Sequence, residues 1–186
     1  PYGTYADKKT KLDRNGFNYN LFGVNNLDLS FSIAIGLPVN SEDNKARAGM
    51  KDLKTLLEIG PAIKYWLIKD KSDKLSLELP IRKAFAFDDF SVNQQGLTGS
   101  FDIKYVHQFN EWKFYSSYSI NFGDEKYHSQ FYDVAPQYVT GDRGFYKAEQ
   151  GISSHSLSLA FSKRWDKFYF GILARAENLN NAVNID

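Results

Sequence analysis

From Leu27 to Leu37 the chain alternates without a break. Leu27, Leu29, Phe31, Ile33, Ile35 and Leu37 fall on one side, and Asp28, Ser30, Ser32, Ala34 and Gly36 on the other. A helix would scatter these apolar residues around its circumference, whereas a strand puts them all on one face. The period recurs along the chain. Leu53, Leu57, Ile59, Ile63, Tyr65 and Leu67 oppose Lys54, Glu58, Gly60, Ala62 and Lys64. Leu75–Phe87, Leu97–Phe109, Trp112–Phe122 and Leu157–Trp165 repeat it, and Phe17, Tyr19 and Leu21 oppose Asn18 and Asn20 near the start. Phe168–Glu177 is apolar on both faces, and Pro1–Tyr5 reads as the end of an earlier strand. The pattern therefore predicts eight strands and a ninth at the N-terminus.

Short connections (near 23–26, 70–73, 110–111 and 166–167) alternate with long ones at 6–16, 38–52, 88–96 and 123–154. This rhythm predicts an all-β fold, an antiparallel up-and-down transmembrane β-barrel with tight periplasmic turns and longer outer loops. Several segments exceed the usual five to six residues of a soluble strand and reach membrane-spanning length at a steep tilt. The polar face is mostly Ser, Ala, Gly and Asn, which suits a crowded wet lumen better than the outside of a soluble barrel. Odd-numbered residues of 27–37, 53–67, 75–87 and 97–109 are expected to face lipid. In 112–122 the even ones are, because the Asn110–Glu111 turn shifts the parity. Pro61 and Pro80 fall inside strands almost opposite each other, where a bulge or break is expected.

Composition adds three constraints. Mean hydropathy is −0.47 and no run of about 18 apolar residues exists, which excludes a transmembrane helix but not a barrel, whose lipid face uses every second residue. With 23 basic against 22 acidic side chains, a net charge of +1 and no basic run, a nucleic-acid partner is not expected. There is no cysteine, hence no disulfide or thiol chemistry. Aromatic residues make up 16% of the chain and cluster beside the short turns. Tyr65, Trp66, Phe109, Trp112, Trp165 and Phe168 are expected at the membrane interface, where ring bodies and polar edges sit at headgroup level.

Candidate chemistry is sparse. Glu58, Lys64, Glu78, Arg82, Asp102 and Lys104 fall on the polar face, with Lys64 facing Glu78 in register. They read either as the selectivity surface of a pore or as paired charges that fill a narrow lumen. His107 lies on the apolar face beside Phe109 and reads as structural. His155 follows Ser154, but neighbours on a strand point to opposite faces and form no dyad. His128, near Asp124, Glu125 and Asp133, offers the one arrangement that could activate water. The acidic turn 40–44 lacks regular calcium-ligand spacing, and no cofactor, metal or catalytic motif is expected. The loop 123–154 is long yet rich in aromatics, so it is expected to be ordered at the barrel mouth, anchored by Tyr127, His128, Phe131 and Tyr132.

Several ordered blocks carry a resemblance: LDLSFSIAIGLPV at 27–39 running into NSEDNKARAGMKDL, LEIGP at 57–61, LPIRKAF at 79–85, YHSQFYDV at 127–134, YKAEQG at 146–151 and LNNAV at 179–183. With them the chain resembles the MltA-interacting protein (MipA)/OmpV family of outer-membrane proteins. The resemblance implies a non-enzymatic scaffold in the bacterial outer membrane of Gram-negative cells, linking a murein hydrolase, a lytic transglycosylase, to a murein synthase. It also implies one barrel domain over 1–186 of about 10–12 strands in the whole protein, 8–9 of them here, with early strands before Pro1 and a closing strand after the last block. A small-solute pore with a charged lumen stands as the alternative, and an outer-membrane hydrolase using His128 as a second.

Overall fold

The computed structural model describes residues 5–7, 9–13, 16–88, 91–179 and 183. Ten strands form one sheet: β1 (Tyr5–Ala6), β2 (Thr10–Asp13), β3 (Gly16–Val24), β4 (Leu27–Gly36), β5 (Thr55–Lys69), β6 (Asp73–Asp88), β7 (Ser91–Phe109), β8 (Trp112–Gly123), β9 (Gly151–Trp165) and β10 (Phe168–Leu179). Each pairs antiparallel with the next, so the topology is up-and-down throughout. One helix, α1 (Glu125–Tyr132), lies between β8 and β9. Among the described residues β1 and β10 do not pair, so the sheet is not closed. It is nevertheless strongly curled, because residues from β2 through β10 line a single cavity of about 440 Å³.

The two faces of this curl are inverted relative to a soluble protein. Ile35 is 66% exposed and Leu159 42%, while Ser32, Ser76, Asp102, Ser117, Ser154 and Ser156 are buried. The cavity is lined by even-numbered residues of β3–β7, such as Ser30, Lys64, Glu78 and Asp102, then by odd residues of β8, such as Ser117 and Ser119. The parity switches at the two-residue turn Asn110–Glu111, whose Asn110 takes φ +52. Asn25 and Asp166 supply the same left-handed residue in the β3–β4 and β9–β10 turns, a conformation that Asn and Asp tolerate better than most side chains.

The eight long strands match the alternating segments, but three details refine the pattern. First, the prolines interrupt the β5–β6 ladder without shifting it: Ile59 pairs with Lys83 and Ala62 with Pro80, in one register. A proline removes a donor but inserts no residue, so of the bulge or break expected there it is the break that occurs. The sheet pinches at Gly60, where a Cβ would run into the carbonyl of Ile81. The bulges lie elsewhere, at Trp66–Ile68 and at Lys83–Phe85 opposite Gly96, whose φ is +98. Second, 91–96, within the stretch the pattern assigns to a loop, belongs to β7, and pairing reaches Asp88↔Ser91. Ser91, Asn93 and Gln94 have no apolar alternation to reveal a strand, yet their backbones still pair. Third, β2 lies inside 6–16, which the pattern assigns to a loop.

The inversion makes a directional prediction. Leu157, paired with Tyr118 and Ala176 on the outward face, is expected to lose about 2–4 kcal/mol of stability as Leu157→Arg in a bilayer. Ser158→Ala, one residue along on the cavity wall, should change stability by less than about 1 kcal/mol. Denaturant titration of both variants in lipid vesicles reads the difference.

Candidate functional site: a capped polar lumen

The cavity is organised around buried charge. Glu78 accepts from Lys64 at 2.9 Å and from Lys104 at 2.6 Å, and Lys104 also reaches Asp102 at 3.2 Å. These side chains come from three consecutive strands, where cross-strand register brings them side by side: Lys64↔Glu78 and Glu78↔Asp102 are direct partners. Charge withdrawn from water is tolerated only when paired, and this row meets that condition. Higher up, Arg82 donates through Nε and Nη2 to Ser32 Oγ at 3.0 and 2.8 Å and stands 3.8 Å from Glu58. The six charges expected on the polar face therefore all lie inside the curl, as two linked groups.

A roof closes the end with the long loops. Asp124 caps α1: its side chain accepts from Tyr127 N at 2.8 Å and from Leu97 N at 2.9 Å. The same carboxylate packs on Gly96, where a Cβ would collide with it, so the β7 bulge and the helix start form one joint. From this joint Tyr127 reaches into the lumen and donates its phenol to Glu58 at 2.7 Å. Burial first, and then the Glu58 carboxylate, push the Tyr127 phenol well above its ordinary value, so it stays protonated and donating. Phe131 packs edge-on against Tyr127 at 5.2 Å, and His128 stands edge-on to Tyr132 at 6.4 Å. A second cavity of about 330 Å³ lies beneath these rings, with Glu58, Arg82, Arg175 and Glu177 in its walls.

Two arginines stitch the long loops together. Arg47, in the loop after β4, donates to the carbonyl of Phe131 at 2.6 Å and to that of Lys51 at 3.1 Å. Arg143, in the loop after α1, donates back to the carbonyls of Ala46 and Ala48 at 3.0 and 3.1 Å. Neither residue carries a sequence signal, since an isolated arginine in a polar loop looks like any solvated charge. Arg175, Glu177 and Ser32 were also missed as members of the site. Arg175 and Glu177 belong to the stretch where both faces read as apolar.

The three histidines lie in different surroundings. His128 is 0% exposed, its Nδ1 lies 2.6 Å from the carbonyl of Glu149, and its Nε2 has no partner among the described residues. The nearby carboxylates are committed elsewhere: Asp124 to the helix cap, Asp133 to Ala148 N, Glu125 to Lys147. His107 lies on the outward face 2.7 Å from Asp73, between Tyr105 and Phe109, and His155 meets the Tyr118 hydroxyl at 2.8 Å. In the 40–44 turn the acidic and amide groups bind backbone: Asn40 accepts from Glu42 N and Glu42 from Gly49 N. No metal-type cluster occurs among the described residues.

Outside the curl, at the short-turn end, Trp112 stacks on Phe161 at 4.6 Å and meets Trp165 edge-on at 6.2 Å. Lys163 lies over both indoles and reaches Glu111 at 3.3 Å. Tyr65, Phe109 and Phe168 are exposed on this belt, Phe168 at 76%. Trp66 is a correction. It faces the lumen, lines the larger cavity, and donates its indole N–H to Asp28 at 2.6 Å. The reason is parity: Trp66 shares a face with Lys64, and only its neighbour Tyr65 points outward.

Over residues 1–184 the chain is matched by the model of the family described as MltA-interacting protein MipA. The chain belongs to the MipA family. No curated protein and no solved structure matched it. For this MipA-family chain the ion row and the roof make separable predictions. Glu78→Gln strands two lysines beside one remaining carboxylate and is expected to cost about 3 kcal/mol, measured by denaturant titration. Arg47→Ala should leave the sheet intact while exposing 124–150 to protease, because it removes the bond that holds the Phe131 carbonyl.

Proposed function

We propose that the protein is an outer-membrane barrel that acts as a binding scaffold for murein enzymes rather than as a channel. The observation that carries this reading is the roof: Tyr127 of α1 is bonded to Glu58 inside the lumen. A helix fixed there obstructs the path that a solute would take. The paired charges beneath it satisfy one another instead of presenting a field to passing ions. The outward apolar face and the Trp112–Trp165 belt support insertion in a bilayer, with the tight turns on the periplasmic side. That side would meet the partners, a lytic transglycosylase as the family description implies, and a murein synthase. With no barrel-crossing reaction and His128 enclosed, the role needs no catalysis.

The pore reading makes the opposite statement about conductance. Reconstituted in a planar bilayer, the protein is expected to be silent, and Tyr127→Ala combined with Arg47→Ala is expected to open brief or steady steps. Steady conductance of the unaltered protein, changed by Glu58→Ala or Arg82→Ala, would replace the scaffold reading with the pore. Pull-down of periplasmic proteins on the unaltered protein tests the partners, with enrichment of a lytic transglycosylase expected.

A further inference from the structure

The two cavities meet at Arg82, Ser100, Asn121 and Arg175, which line both. Arg82 of β6 and Arg175 of β10 thus both line this waist between the two cavities. Neither belongs to the tight ion row below. Arg82 is oriented by Ser32, and its partner Glu58 lies at 3.8 Å, beyond hydrogen-bonding reach, while accepting the Tyr127 phenol. Arg175 touches Glu177 at 3.0 Å through one nitrogen, and Glu177 also accepts from Ser154 at 2.6 Å. Arginine in such a position offers a planar fork that matches the oxygens of a carboxylate or a phosphate.

The lower cavity supplies the rest of a site. Its walls carry six cationic and four carboxylate side chains, and Glu58 and Glu177 of the upper cavity stand beside Arg82 and Arg175. Glu78 and Asp102 are paired with lysines, and Asp28 accepts the Trp66 indole N–H. The wall formed by β8 and β9 is hydroxyl-rich, with Ser117, Ser119, Ser156 and Ser158. About 440 Å³ lies within the range of small-molecule sites. The roof lies over one end of the lumen, and Asp28 and Trp66 line the cavity near the tight turns at the other.

We infer that the lumen is a binding cup for a small hydroxylated oxyanion, a sugar-sized carboxylate or phosphate. Its anionic group sits between Arg82 and Arg175, and its hydroxyls meet the serine wall. The inference rests on the capped lumen of the scaffold reading but not on the murein partners.

Trp66, inside the cup, provides the signal. The detergent-solubilised protein is titrated with glucuronate, glucose 6-phosphate, inorganic phosphate and neutral glucose, following tryptophan fluorescence. Saturable binding of glucuronate, glucose 6-phosphate or both is expected, and which of them binds identifies the anion. Glucose and inorganic phosphate should each bind at least about tenfold more weakly. Arg82→Gln and Arg175→Gln should each weaken binding about tenfold or more, and Lys163→Gln, on the outward face, should leave it unchanged. Arg175 is on the exposed strand β10, so its variant keeps the test decisive even if Arg82→Gln disturbs folding. Absence of saturation by both sugar anions up to about 10 mM, or affinity indifferent to Arg175→Gln, overturns the cup. Inorganic phosphate binding as tightly as glucose 6-phosphate overturns the role of the serine wall. The conductance of the protein is a separate readout, so failure of the cup and failure of the scaffold reading are told apart.

Discussion

A strand exposes its two faces in strict alternation, and in this chain the two faces must live in opposite surroundings. Leu29, Phe31 and Ile33 point away from the curl while Ser30 and Ser32 point into it. Once the sheet bends, every inward residue shares a small volume with residues from strands far away in sequence. Inward side chains must therefore be short, or else polar and matched. The serines satisfy the first condition and the Lys64–Glu78–Lys104–Asp102 row the second. A single-residue slip of any strand would put lysines and glutamates outward and leucines inward, so the register is held by the whole face at once.

The curvature needed to make that volume depends on a few backbone points. At Gly60 the β5 and β6 backbones come closer than any side chain allows, beside the missing pairs at Pro61 and Ile81. At Gly96 the left-handed residue creates a bulge, and the space above it receives the Asp124 carboxylate. The bulge that bends the sheet is thus also the seat of the helix that closes it. Rigid loops follow from this seat: α1 carries the Phe131 carbonyl to Arg47, and Arg143 returns the contact. The helix thus lies over one end of the polar cavity.

The strand faces were legible in the sequence, and the physical cause is local. Period two is set by consecutive residues of one strand, so Leu27–Leu37 states its own orientation without reference to a partner, and the Asn110–Glu111 turn carries the parity from β7 to β8. The inward position of Glu58, Lys64, Glu78, Arg82, Asp102 and Lys104 follows from the same rule. Trp66 shows the rule at work against a competing habit: composition near a turn pointed to an interface ring, but parity assigned it to the lumen, where Asp28 takes its N–H. Polar strand ends such as 91–94 and the short β2 escaped because backbone pairing continues where side-chain alternation stops.

What only the tertiary structure decided are contacts between residues distant in the chain. The sequence by itself determined that the chain is an up-and-down sheet with an apolar outer and a polar inner face. It did not determine that Tyr127 bonds Glu58, that Arg47 and Arg143 cross between loops, or that Arg82 and Arg175 share a waist. Each of these depends on sheet curvature, set by Gly60, Gly96 and the stagger of all the strands together. Curvature is a sum over many pairings, and no local window contains it. Alternation fixes which way a side chain points. The closing of the sheet around it decides what that side chain meets.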